Sequence, residues 1–237
     1  MPIYRIADLN VEVNPKFKIC RKRLESYAVK SNESGKTDIA ISVSDDEIRE
    51  RLRLSDNLSE QGAEDVLILS KFCNAVLDGF DGFFFHSSCL ELDGEGYVFS
   101  AVSGTGKSTH TALWRRHFGN RVTMINDDKP VIRKCDGKFY AYGTPWMGKA
   151  DIGTNTKAPV KAVYILQIAE ENTAVRVLPS QVMKQLLEAT VIDVERSRME
   201  KLLELLDEFF KETPLFLLGC NMDESAVMTA YNAANGG

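Results

Sequence analysis

The sequence lacks the cysteine spacing that a disulfide scaffold or a zinc site needs. Its five cysteines, Cys20, Cys73, Cys89, Cys135 and Cys220, are far apart, odd in number and never arranged as C-x-x-C, which argues against both. A sustained basic stripe is also missing. The 29 Lys and Arg residues are scattered among 34 Asp and Glu, for a net charge of −5, so no nucleic-acid partner is expected. No apolar run approaches the roughly 18 residues of a membrane helix. The opening MPIYRIADLNVEVNP has no apolar core of signal-peptide length, so a cytoplasmic protein with no membrane partner is expected. Internal repeats and low-complexity linkers are absent, and 237 residues suit one compact α/β unit.

What is present has the pattern of an ordinary globular protein, 44% hydrophobic and 27% charged. Residues 1–80 are expected to form an N-terminal β layer plus a helix. IADLNVEV and TDIAISVS alternate with period 2, and 60–80 carries Val66, Leu67, Leu69, Phe72, Val76 and Leu77 at helical spacing up to Gly79. Residues 81–180 form the expected core. Strands are predicted over 82–92 and 97–102, joined by the turn DGEG. A helix over 107–118, closed by Gly119, leads to a strand over 122–133. KFYAYG and VKAVYILQIA are further strands, separated by the long loop TPWMGKADIGTNTKAP, of a length that is usually functional or disordered. Residues 181–237 are expected to be a helical part, with Leu186, Leu187, Met199, Leu202, Leu203, Leu206 and Phe210 on its apolar face.

The segment FSAVSGTGKSTHTALW carries the strongest chemical signal. Between a strand and a helix, Ser103, Gly104, Thr105, Gly106, Lys107, Ser108 and Thr109 match the core of a phosphate-binding loop. Such a loop curls backbone N–H groups around an anion and aims a helix N-terminus at it. Lys107 would reach the β- and γ-phosphates, and the Ser108 hydroxyl would bind magnesium. The motif's opening glycine is replaced by Ala101. If that position requires a left-handed backbone, alanine costs about 1–2 kcal/mol.

Asp127 and Asp128, in INDDKP, follow the loop by about twenty residues, at the end of the strand where open α/β sheets place functional side chains. Neighbouring strand residues point to opposite faces, so one carboxylate can hold magnesium while the other takes a proton from an attacking hydroxyl. The residues leave open which is which. His86, in FFFHSS, reads on its own as a core histidine.

His86, then AVSGTGKST, then INDDKPVI, in that order, resemble the catalytic core of HPr kinase/phosphorylase, the bacterial protein-serine kinase. Its relatives, the ATP- and GTP-dependent phosphoenolpyruvate carboxykinases, have a similar loop. The matching core spans roughly 82–133. The resemblance implies the phosphoenolpyruvate carboxykinase C-terminal and HPr kinase-like P-loop fold, with mixed sheets and flanking helices. It also implies a kinase that uses ATP and Mg2+ to phosphorylate a hydroxyl, expected to be a serine, of a peptide, protein or small molecule. Carried over to this chain, Asp127 is the base, Asp128 a metal-side carboxylate and His86 the residue that orients the base. A His86 contact to a metal is the carboxykinase alternative. A similar Pro-Trp-x-Gly-Lys loop in small HPr kinase-related proteins adds Lys149 to the phosphate pocket and suggests Trp146 as a packing surface for substrate.

The chain departs from the family at Ala101 and lacks its C-terminal glycine-rich signature, which puts HPr in doubt as the acceptor. A carboxykinase would need a much longer chain with arginines for the organic acid. A carboxykinase-like enzyme and a nucleotide-binding module without turnover stand as the rival functions. ATP versus GTP, and whether the chain forms a homo-oligomer, are not written in any motif. Lys107→Ala is expected to abolish nucleotide binding in a titration with fluorescent ATP; unchanged affinity would overturn the loop assignment.

Overall fold

The structure, a computed structural model, describes residues 1–30, 35–55, 57–102, 104–190 and 196–236. At the N-terminus, β1 (Ile3–Ile6), β2 (Leu9–Val13) and β3 (Ile39–Ile41) make a three-stranded sheet, with β1 antiparallel and β3 parallel to β2. The expected β layer also contains helices: α1 (Lys18–Leu24) and α2 (Asp45–Arg53) precede the predicted long helix, α3 (Glu60–Gly79). Helix α2 starts at a capping box in which Ser44 Oγ accepts from Glu47 N–H and Glu47 accepts from Ser44 N–H. Helix α1 has no local cap. The backbone N–H groups of Lys16 and Phe17, just before it, donate at 2.5 and 2.9 Å to buried Glu64 of α3.

A nine-stranded mixed sheet follows, built from β4 (Gly82–Phe84), β5 (Ser88–Leu92), β6 (Glu95–Ser100), β7 (Val122–Asn126), β8 (Val131–Cys135), β9 (Lys138–Tyr142), β10 (Lys157–Ile168), β11 (Thr173–Arg176) and β12 (Leu215–Cys220). Its order is β4-β8-β9-β10-β6-β5-β7, with β12 between β10 and β11. Strand β10 joins the two halves. Its start pairs antiparallel with β9, and the rest pairs parallel with β6 and β12. The hairpin β5–β6 turns at Asp93-Gly94, both with positive φ, as a tight two-residue hairpin requires.

Helices α4 (Lys107–Phe118), α5 (Met183–Thr190), α6 (Met199–Glu212) and α7 (Ser225–Asn235) cover the sheet. Alternate residues serve opposite faces. Tyr97, Phe99, Ala162 and Tyr164 pack with Trp114 of α4 and Val227 of α7, while Val98, Val163 and Ile165 pack with Leu186 of α5 and Leu202 and Phe209 of α6. Strands buried on both sides read as continuous apolar runs, which is how β10 appears in the sequence. A third cluster joins the N-terminal sheet and α3 to Phe84, Val131, Tyr142 and Trp146. Among the described residues no helix is long and apolar enough to cross a membrane.

Four expectations need correction. The strand predicted over 82–92 is two strands, β4 and β5, bonded at different places in the sheet, and His86 sits in the break between them. The strand predicted over 122–133 is likewise β7 and β8, and Asp127 and Asp128 lie in the turn between. The part expected to be helical contains β12, which is too short and too uniformly apolar to differ from a buried helix segment by periodicity. The stripe on α6 is Leu202, Leu205, Leu206 and Phe209: Leu202 and Leu206 lie on it as expected and Met199 and Phe210 pack against the same core, but Leu203 is 43% exposed, and Leu205 and Phe209 take the buried places.

Helix α4 presses His110 and Trp114 into the core. Trp114 Nε1 donates to His110 Nε2 at 3.0 Å, so the ring accepts there and is neutral, and burial pushes its pKa down to about 4. The unfolded imidazole titrates near 6.5. The unfolded chain therefore binds more protons between these values, and the His110 contribution is fully present above about pH 6.5 and lost as pH falls to about 4. Urea unfolding at pH 7.5 and pH 4.5 is expected to show about 2.5 kcal/mol more acid loss for wild type than for His110→Gln; equal losses would contradict this.

Candidate active site

Strand β6 ends at Ser100, and the glycine-rich loop begins at Ala101. Gly104 and Gly106 take φ of 86° and 106°, the left-handed region in which a side chain is strained. A Cβ at either would meet nothing within 4 Å, so backbone angle, not crowding, calls for glycine, and the space above the loop stays open. Ala101 does not have a positive φ. The penalty attached to the missing first glycine therefore does not arise. Thr105 N–H bonds back to Val102 O at 3.1 Å, inside the loop. Ser103 lies outside the described residues.

Gly106 is the N-cap of α4, with no side-chain cap and no acidic residue in the first turn. Among the described residues, the first helix N–H with a backbone acceptor is that of His110, bonded to Gly106 O at 2.9 Å. The earlier amides of the first turn are the orphan donors that make a helix N-terminus an anion site. Lys107 Nζ donates to Ala101 O at 3.1 Å, folded back across the loop. Burial pulls the Lys107 pKa down, against the charge of Asp128.

Across the cleft, the turn 127–130 is held by one side chain that sequence reasoning passed over. Asn126 is fully buried. Its Oδ1 accepts from Asp128 N–H at 2.8 Å and Lys129 N–H at 2.6 Å, an Asx turn. Its Nδ2 donates to Thr144 O at 3.0 Å and Thr144 Oγ1 at 3.2 Å, and Thr144 Oγ1 donates to Lys129 O at 2.6 Å. Because the aspartates follow the strand rather than continuing it, the opposite-face rule does not apply. Both line one cleft of about 490 Å3, together with His86, Lys107, Ser108, Thr109 and Lys149.

The two carboxylates have different surroundings. Asp128 Oδ1 lies 3.0 Å from His86 Nε2, and its Oδ2 pairs with Lys129 Nζ. Burial pushes the Asp128 pKa up, but the hydrogen bonds and charges of His86 and Lys129 outweigh it and hold the carboxyl well below the usual range. Asp127 is 8% exposed. Its Oδ1 accepts from Gly148 N–H at 2.7 Å, and its Oδ2 makes no hydrogen bond among the described residues. A Cβ on residue 148 would stand 3.2 Å from that Oδ2 and 3.4 Å from Asp128 Cβ, so glycine lets the 144–156 loop close over the pair. His86 thus contacts Asp128, whereas the resemblance implies that it orients the base at Asp127. Its own backbone is fixed by N–H donation to Ala189 O of α5 at 2.7 Å and by Ser100 Oγ donating to its carbonyl at 3.1 Å.

Trp146 is not a substrate platform. It is 3% exposed and stacks on Phe72 at 5.6 Å between centroids. Lys149 is exposed at the cleft rim. Asn126 and Lys129 went unread, although the string Asn-Asp-Asp-Lys is an Asx-turn pattern with a cation. Gly148 N–H as a carboxylate donor, and Thr144 as the second anchor, depend on a loop returning from twenty residues away and have no local signal.

No protein-family model matches the chain, and no curated protein matches it. Among solved structures, the chain is similar to the Hpr(Ser) kinase/phosphatase from Coxiella burnetii, at 12% sequence identity and a TM-score of 0.38, over 65% of this chain and 93% of that one.

Asn126→Ala is expected to cost about 2–4 kcal/mol in urea unfolding, because it strands buried donors and acceptors on both loops. An unchanged midpoint would show that the turn holds without it.

Proposed function

We propose that the chain is an ATP- and Mg2+-dependent kinase that transfers the γ-phosphoryl group to a hydroxyl, with serine the favoured acceptor. The observation that carries this reading is that two unlike sets of groups line one cleft. One set is an uncapped helix N-terminus, Lys107 and Ser108. The other is Asp127 with a free carboxylate oxygen. The order of His86, loop and aspartates, which resembles HPr kinase, points the same way.

Ser108 and the aspartates offer hydroxyl and carboxylate oxygens, which suit a hard cation such as magnesium. Among the described residues no three His, Cys, Asp or Glu side chains are grouped to hold a metal on their own. That fits an ion that shares its ligands with nucleotide phosphates, as magnesium commonly does. Ser108 and Asp128 would hold it, and when bound it would neutralise charge on the β- and γ-oxygens.

This chain's residues then divide the remaining work. The α4 amides and Lys107 bind and orient the triphosphate. Asp128, held well below the usual carboxylate range by its contacts with His86 and Lys129, is too weak a base to take the acceptor proton. Asp127, which lines the cleft, is the available acceptor: Gly148 N–H occupies its Oδ1, and its Oδ2 makes no hydrogen bond among the described residues. In the step, the acceptor oxygen bonds to the γ-phosphorus as the bond to the β–γ bridging oxygen breaks. ADP leaves with that electron pair, and the hydroxyl proton passes to Asp127.

With γ-labelled ATP, magnesium and a panel of serine peptides, Asp127→Asn is expected to lower the transfer rate by about 10²–10⁴-fold while ATP affinity stays within a few-fold. Transfer at the wild-type rate would remove Asp127 from its role. A wild type that binds ATP but transfers to no hydroxyl would overturn the kinase reading.

A further inference from the structure

A second cavity, of about 220 Å3, opens between the loop and α5. His86 belongs to its wall and to that of the phosphate cleft. Ala101, in the wall of the second cavity, is the residue whose carbonyl accepts from Lys107 Nζ at 3.1 Å, and that ammonium is the group that reaches the β- and γ-phosphates in such loops. The transferable phosphoryl group would therefore lie where the two cavities meet.

The cavity is lined by apolar and polar groups. Ala101, Ala189 and the exposed Val102 (66%) are its apolar lining, and Ser100, Gln185 and Glu188 its polar lining. Its volume equals about seven waters at ~30 Å3 each, enough for one side chain with its backbone and too little for a folded surface. Among the described residues, the ion pair of Glu188 is an exposed one: Lys184 Nζ, on the same helix, is 3.9 Å away, and the Lys184 and Glu188 side chains are 85% and 58% exposed. Pairs of this kind contribute little and exchange partners readily.

Resting on the phosphoryl-transfer reading, we propose that this cavity is the acceptor subsite. It takes a short peptide segment whose serine hydroxyl points past His86 toward the cleft and whose neighbouring cationic side chain meets Glu188. Gln185 and Glu188 are then specificity determinants that touch the acceptor and not the nucleotide. Helix α5 is well placed for this, since Ala189 O holds the His86 backbone at 2.7 Å and so fixes the helix relative to the residue shared by the two cavities.

The test uses the full chain with magnesium and a non-hydrolysable ATP analogue, and two fluorescein-labelled hexapeptides that carry arginine or glutamate beside one serine. Anisotropy titrations are expected to give at least tenfold tighter binding of the arginine peptide, a reversal of that preference in Glu188→Lys, and an analogue affinity unchanged by the substitution. Equal binding of the two peptides, no binding of either, or a preference untouched by Glu188→Lys would overturn the subsite. The expected preference without any phosphate transfer from ATP would support the subsite and count against the kinase reading alone.

Discussion

Asn126 uses all four hydrogen-bonding positions of its side-chain amide inside the protein, and the geometry of the cleft follows from them. Two of these bonds fold the chain after β7 into the turn that presents Asp127 and Asp128 together. The other two fasten that turn to Thr144, the start of the loop that brings Gly148 N–H to Asp127. A buried amide with every position satisfied is a rigid joint, because losing any partner leaves a polar group without water. Gly143 makes the same approach at backbone level: a Cβ there would lie 2.0 Å from Thr154 O.

His86, which contacts Asp128 of that turn, is fixed by different means. It sits where β4 gives way to β5, with its N–H held by α5 and its carbonyl held by β6. The Asp128 carboxylate then lies between two cationic or protonatable groups, His86 and Lys129. Two adjacent carboxylates in one cleft would repel each other and raise one pKa. Here one is compensated by its neighbours and the other is left with an open oxygen, so adjacent residues of the same type come to have different chemistry.

Much of this arrangement was legible in the sequence where the signal is local. The loop and α4 were readable from Gly104, Gly106 and Lys107 followed by a helical apolar face closed at Gly119, and α3 from its spacing and Gly79. The breaks at His86 and after Asn126 were not read, since an apolar run interrupted by a few polar residues, His86 to Ser88 or Asn126 to Lys129, can continue its strand or leave for another part of the sheet. The cap of α1 by Glu64 and the donor at Gly148 join residues far apart in sequence, and only the fold brings them together. The pairing of His86 with Asp128 rather than Asp127 belongs to the same class: neighbours in sequence were distinguishable in role only once the turn placed them.

The central claim is that the cleft receives a magnesium nucleotide with its terminal phosphate between Lys107 and Asp127. A crystal structure of the full chain with magnesium and a non-hydrolysable ATP analogue tests it most directly. The account predicts phosphate oxygens on the α4 N-terminal amides, the γ-phosphate at Lys107 Nζ, and Asp127 Oδ2 facing the γ-phosphorus from the side opposite the β–γ bridge. A nucleotide bound elsewhere on the chain, or with its γ-phosphate turned away from Asp127, would contradict it.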